Sequence, residues 1–317
     1  MIGAIDIGGT KIAVAAVARE GRVLCSEACP TEPERGFDDA FRRMADMLGR
    51  CIGRSGEPLE GIGVGCTGPV DPLGGRVGEV PFLPGWEGGE LAGRLSDAFQ
   101  VEAALENDAD AHALAEYAWG AGRGSRRFVM VTVGTGIGGA MILDGELYRG
   151  ADGIHPEFGH HVIDPAGPVC PCGVRGCWES LASGPALAAG FLARNPDRPP
   201  MTAKAICEAA DAGDPAAREA VDAAADYLGL GLANLVNIFA PDRIVLGGGL
   251  MRSGHLFWDR ARAVLESHVR LVPPGTTHLV HAGLGGDAGL CGAACVWLHR
   301  TGANQPATTA ARAIRRR

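Results

Sequence analysis

Two stretches of this chain repeat one layout: a short apolar run, a glycine turn and a second apolar run. The first spans Ala4 to Val17 (AIDIGGTKIAVAAV) and the second Val129 to Leu143 (VMVTVGTGIGGAMIL). Runs this short and this rich in β-branched residues read as strands, and glycines let the chain reverse between them. Hairpins of this kind bury their apolar residues only against further layers, so a repeated one predicts a duplicated α/β unit.

The segments that follow fit such units. Arg22 to Ala28 reads as a third strand, and Phe37, Phe41, Met44, Ala45 and Leu48 recur at helical spacing within 37–52. Ile62 to Cys66 reads as a buried strand leading into the turn-rich stretch Thr67 to Pro72. A helix over Leu91 to Phe99, a strand over Val101 to Leu105 and a helix over Ala109 to Trp119 follow. Gly120 to Ser125 is the best place for the chain to cross between domains. Ala203 to Phe239 is mostly helical, and Asp242 to Leu246 is a strand closed by Gly247, Gly248 and Gly249. The expected division is an N-terminal α/β domain over 1–120, completed by a helix near 287–300, and a larger C-terminal α/β domain over 121–286. The Ala/Thr/Arg-rich end, 301–317, reads as a disordered, solvated tail.

A chain of 317 residues suits two modest domains, and 46% hydrophobic with 21% charged residues is a soluble globular balance. The net charge of −8 offers no basic face for nucleic acid. No apolar run approaches the roughly 20 residues that cross a bilayer, so no membrane partner is expected. The N-terminus begins in a strand without a basic segment, which points away from secretion. Three of the ten cysteines crowd into residues 170–177, so reduced thiols plus a metal site, in a cytoplasmic enzyme, account for them better than disulfides.

Four motifs carry chemistry. In Asp6-Ile-Gly8-Gly9-Thr10-Lys11 the glycines let an anion approach backbone N–H groups, Asp6 can hold Mg²⁺, and Thr10 and Lys11 can meet phosphate oxygens. The second glycine run begins Gly134-Thr135-Gly136. It is followed by a strand and the turn Asp144-Gly145 rather than a helix, which argues against a dinucleotide fold and for a second phosphate turn. Gly247, Gly248 and Gly249 offer a third close approach, suited to the flat face of an adenosine. Glu106-Asn107-Asp108 lies at a strand-to-helix junction. An Asp or Asn there caps a helix, or exposes a carboxylate that can take a proton from a hydroxyl attacking a γ-phosphate.

The fourth motif is Glu157-Phe-Gly-His160 with Cys170-Pro-Cys172-Gly-Val-Arg-Gly-Cys177-Trp-Glu179. Three thiolates and one imidazole make a closed, structural Cys₃His zinc site within the segment 160–177. His155 and His161 are possible substitutes for His160, and a redox role fits Cys-x-Cys with a nearby His less well.

The order DIGGTK, END, VGTGIGG, E-x-G-H, C-x-C-G-x-x-G-C-x-E and LGGG resembles that of the ROK proteins, a family of repressors and sugar kinases, over Ile2 to Val296. TGPVD and LPGWEG are similar to segments of its bacterial glucokinases. The resemblance implies the actin-like ATPase and hexokinase fold: two RNase H-like α/β domains around a cleft that closes on ATP and sugar. It implies phosphorylation of a hexose 6-hydroxyl, most often glucose in carbohydrate metabolism and glycolysis, with Asp108 as the base. Asn107, Glu157, His160 and Glu179 would then hydrogen-bond sugar hydroxyls, with Gly68 lining the pocket. Asp6, Gly8, Gly9, Thr10 and Lys11, with Gly134, Thr135 and Gly136, would serve ATP phosphates and Mg²⁺.

Zinc bound by His160, Cys170, Cys172 and Cys177 would steady Glu157 and Glu179, which flank its ligands. Family kinases act as homodimers or homotetramers, so either is expected. N-acetylglucosamine, N-acetylmannosamine and fructose remain alternative acceptors, and polyphosphate an alternative donor. A sugar-sensing regulator is disfavoured, since the chain opens directly in the first strand and retains Asp108.

Overall fold

The computed structural model describes residues 1–302, and apart from Thr301 and Gly302 the tail expected at 301–317 lies outside them. The chain divides into two compact units. One is Met1–Arg123 together with the chain from Leu284, and the other is Gly124–Gly283.

The first unit carries β1 (Ile2–Ile7), β2 (Lys11–Val17), β3 (Val23–Pro30), β4 (Gly61–Cys66) and β5 (Ala103–Asn107), in the sheet order β3-β2-β1-β4-β5. The second carries β6 (Arg127–Val133), β7 (Ile137–Leu143), β8 (Glu146–Leu147), β9 (Arg243–Gly247) and β10 (His278–His281), ordered β8-β7-β6-β9-β10. In each sheet the first three strands pair antiparallel and the last two run parallel to the first. Strand for strand the two sheets have one topology, so the duplication read from the two hairpins extends over five strands in each unit.

The sequence of β4, Gly-Ile-Gly-Val-Gly-Cys, shows why helices can lie close on one face. Alternate residues of a strand face opposite sides. Ile62, Val64 and Cys66 enter a core with Ala40, Met44 and Leu48 of helix α1 (Phe37–Ser55). On the other side, a Cβ at Gly61 would collide with Trp297, and one at Gly63 with the Ala293 carbonyl. Both belong to helix α9 (Ala288–Arg300), which buries an unbroken run from Leu290 to Leu298. Leaving out side chains on that face lets α9 rest directly on the strand. The buried stripe of α1 is Ala40, Met44, Met47, Leu48 and Cys51, rotated from the expected one so that Phe37 and Phe41 sit at its edge.

One boundary differs from expectation in a way that matters. The strand expected at Val101 begins at Ala103, because helix α2 (Leu91–Phe99) ends with Gln100 in a left-handed conformation, φ 55°. Ser96 of α2 then accepts the Ala103 N–H at 3.0 Å. The strand therefore runs on to Asn107, and α3 (Asp108–Ala118) follows with no loop between them.

In the second unit, Asp144 and Gly145 both take positive φ (50° and 94°), as a tight two-residue reversal between β7 and β8 requires. Helices α4 (Glu179–Ala182), α5 (Gly184–Arg194), α6 (Ala203–Asp211), α7 (Pro215–Phe239) and α8 (Trp258–His268) complete this unit. Helix α7 lies along its core. No helix among the described residues is long and apolar enough to cross a membrane.

Candidate active site

In the first unit the functional residues gather where β1, β4 and β5 end. The parallel register puts Asp6 level with Gly65 and Glu106, and Ile7 level with Cys66 and Asn107. Open α/β sheets place ligands outside this carboxyl edge. Asn107 is the N-cap of α3, its Oδ1 accepting the Ala109 N–H at 2.8 Å, while its Nδ2 lies against Gly68, where a Cβ would approach it to 2.7 Å. Capping therefore falls to Asn107. Asp108 stands half-buried in the first turn of the helix, its Oδ1 also accepting the Ala109 N–H at 2.8 Å.

His112, one turn along, donates from Nδ1 to the Asp108 carbonyl at 2.7 Å. Burial raises the Asp6 carboxyl above the usual aspartate range, against the opposing charges of His112 and Lys11. Burial also pushes the Cys66 thiol up, and the negative charges of Asp108 and Asp6 add to it, so both carboxylates act on one buried sulfur.

The first glycine turn joins β1 to β2, with the Gly8 N–H donating to the Lys11 carbonyl at 2.9 Å. Thr10 and Lys11 are exposed. The glycines have different reasons. A Cβ at Gly8 would meet only the Lys11 carbonyl oxygen at 3.5 Å, an ordinary contact, whereas one at Gly9 would meet the Phe82 Cβ at 2.9 Å. Phe82 is 63% exposed although Val80, Leu83 and Trp86 around it are buried. Gly9 is thus required by Phe82, which the sequence did not signal.

The second glycine turn, between β6 and β7, closes with the Gly134 N–H on the Gly136 carbonyl at 2.8 Å. Glu179 Oε2 accepts the Ile137 N–H at 2.9 Å, and a Cβ at Gly136 would collide with that same carboxylate. The Gly184 N–H, at the start of α5, donates to the Gly134 carbonyl at 2.8 Å. Beside this turn lies a cavity of about 600 Å³, lined by Gly134, Thr135, Pro185, Lys204, Gly249 and Ser253 among others. Of the three clustered glycines, Gly249 lines it. A Cβ at Gly247 would meet Met130 at 2.8 Å, and Gly248, φ 94°, lies against Val133.

The fourth motif folds into one cluster. The ligand atoms of His160, Cys170, Cys172 and Cys177 all lie within 4.8 Å of one another. His160 Nδ1 is 3.6 Å from Cys170 Sγ, and Cys172 Sγ is 3.6 Å from Cys177 Sγ. A tetrahedral zinc with bonds of roughly 2.0–2.3 Å would span edges of about that length, so the donor set fits the ion. Gly173 and Gly176, φ 89° and 76°, supply the left-handed turns that bring the sulfurs together. Burial pushes the Cys177 thiol up to about 12, while the Val174 N–H draws Cys172 down to about 7.

His161 lies outside the cluster, donating from Nδ1 to the Phe158 carbonyl at 2.6 Å and packing on Trp178. Trp178 is fully buried, its Nε1–H donating to the Tyr227 carbonyl at 3.0 Å. Consecutive residues thus join the cluster (Cys177), the core (Trp178) and the glycine turn (Glu179). Glu157 is exposed three residues before His160. All ten cysteines are free thiols.

A sequence profile of the ROK family matches residues 2–300. The chain belongs to the ROK family. A glucokinase of Thermotoga maritima is 35% identical over 312 residues, 94% of this chain and 97% of that protein. The ROK hexokinase of Thermus thermophilus superposes with a TM-score of 0.81 at 36% identity, covering 95% of this chain and 99% of its own. A ROK glucokinase of Streptomyces griseus, solved with glucose and AMPPNP, gives 0.76 at 34% identity, covering 92% and 97%. The family fold is accordingly the actin-like ATPase and sugar kinase fold, with one five-stranded sheet in each unit.

Proposed function

We propose that this chain transfers the γ-phosphoryl group of ATP to the 6-hydroxyl of a hexose, with glucose as the preferred acceptor. The observation that carries the reading is Asp108. It is a half-buried carboxylate at the carboxyl ends of the parallel strands β1, β4 and β5, in a chain similar over nearly its whole length to glucokinases. As the sugar oxygen attacks the γ-phosphorus, its proton passes to the Asp108 carboxylate. The bond to the bridging oxygen breaks, and its electron pair leaves with ADP.

Asn107, Glu157, His160 and Glu179 are read as sugar-binding groups, and Gly68, which lies against Asn107, as lining the pocket. For Glu179 this leaves the oxygen not held by Ile137. The two glycine turns are read as phosphate sites, and the cavity beside Gly134 and Gly249 has room for a nucleoside. Asp6 would hold Mg²⁺, directly or through water, and the ion would supply charge neutralisation at the phosphates. His160, Cys170, Cys172 and Cys177 would hold a structural zinc that steadies Glu157, while Trp178 offers Glu179 a second anchor. A homodimer or homotetramer rests on the family resemblance, and a cytoplasmic location on the clustered cysteines read as reduced thiols.

A coupled assay with Mg-ATP against glucose, N-acetylglucosamine, N-acetylmannosamine and fructose tests this. A strong preference for glucose supports the full reading, and activity on a 2-acetamido sugar or fructose moves the acceptor while keeping the mechanism. Failure with all four sugars in a folded protein would sink the kinase reading.

A further inference from the structure

The first glycine turn is braced from behind by a residue that none of the motifs contains. Thr31 is fully buried just past the end of β3. Its hydroxyl donates to the Gly8 carbonyl at 2.7 Å, and its own N–H donates to the Thr10 carbonyl at 3.1 Å. Thr31 is held in turn by Arg43 of α1, which donates to the Thr31 carbonyl at 2.6 Å and to the Pro30 carbonyl at 2.6 Å. Arg43 Nε is fixed on Asp39 at 2.8 Å. The chain of contacts runs from a helix carboxylate through a guanidinium and Thr31 to the Gly8 and Thr10 carbonyls of the turn.

A trans peptide is planar, so its N–H points opposite to its C=O. Holding the Gly8 carbonyl toward buried Thr31 directs the Gly9 N–H the other way, and holding the Thr10 carbonyl does the same for the Lys11 N–H. Both N–H groups are thereby set on the side of the turn away from Thr31, where they can serve as donors to an anion. Donors fixed before the ligand arrives cost no reorganisation when it binds.

We infer that Thr31, backed by Arg43, is a positioning residue that presets the Gly8–Lys11 turn for the phosphates of the nucleotide. This inference rests on the kinase reading above. Valine matches threonine in shape and lacks the hydroxyl, so Thr31→Val leaves the Gly8 carbonyl without its partner, whereas Thr31→Ser keeps the bond.

The test is titration calorimetry of Mg-AMPPNP and, separately, of glucose, together with kcat and KM for Mg-ATP and a thermal melt. Thr31→Val is expected to bind Mg-AMPPNP about tenfold more weakly and to raise KM for Mg-ATP similarly. Glucose affinity should stay within twofold, and Thr31→Ser should restore nucleotide binding. If Thr31→Val does not fold, Arg43→Met, which frees the Thr31 carbonyl while leaving its hydroxyl, carries the same comparison. Wild-type nucleotide affinity in a folded variant overturns the inference, as does an equal loss of nucleotide and glucose binding. A wild-type protein that binds no Mg-AMPPNP overturns the kinase reading and this inference with it.

Discussion

The two glycine turns occupy the same place in two sheets of one topology, yet they are held by different means. The turn at Gly8–Lys11 is braced by neutral groups, the Thr31 hydroxyl and N–H behind it and the Phe82 side chain over Gly9. The turn at Gly134–Gly136 is braced by a carboxylate, Glu179, and by the backbone at the start of α5. A duplicated hairpin preserves the backbone path. The neighbours that fix it belong to each unit's own loops and helices, which is where the two halves have been free to specialise. The first unit touches its turn with neutral groups alone, the acid Asp39 standing behind Arg43 and Thr31. The second spends an acid on the brace itself.

The sharpest division between the two should appear in turnover. Asp108→Asn is expected to lower kcat by about a thousandfold while glucose affinity stays within tenfold, because a general base acts in the transition state. Glu179→Gln should cost about tenfold, since the amide oxygen can still accept the Ile137 N–H and only the charge is lost. Steady-state kinetics on both variants checks this, and a fully active Asp108→Asn would remove the base from the first unit.

A smaller but still large effect is expected from Cys172→Ala. It should release zinc, measured by atomic emission, and lower activity by disturbing Glu157, while buried Trp178 keeps Glu179 at the second glycine turn. A stoichiometric, stable zinc in that variant would refute the ligand set.

The finest distinction lies in the glycines. Gly9→Ala and Gly136→Ala should each lower stability by about 1–3 kcal/mol in urea melts, as overpacking does. The obstacle at Gly136 is the far end of a side chain, so its loss should largely disappear in a Glu179→Ala background. The obstacle at Gly9 is the Phe82 Cβ, which alanine retains, so its loss should persist in Phe82→Ala. Equal behaviour of the two double variants would erase the difference between the braces.

Much of the fold was legible because local patterns specify local structure. Short β-branched runs closed by glycines located the hairpins, and the apolar spacing of 37–52 located α1, though its stripe turned once packing was free to choose Ala40 and Met47 over Phe37 and Phe41. The start of β5 is not legible, because Val101 looks as strand-like as Ala103 and only pairing with Ile62 and the left-handed Gln100 separate them. The crowding of cysteines in 170–177 marks the cluster that His160, Cys170, Cys172 and Cys177 form, since residue type and spacing are written in the chain. That His160 rather than His161 joins it depended on Trp178 packing against His161.

The sequence by itself therefore determined the elements, the repeated hairpin and the family, all of which depend on residues near one another along the chain. The tertiary structure alone decided what holds each turn. Thr31 reaches Gly8 across 23 residues and Glu179 reaches Ile137 across 42. No local pattern marks either pair, because a hydrogen bond between distant residues exists only once the sheet and its helices have brought donor and acceptor to within about 3 Å.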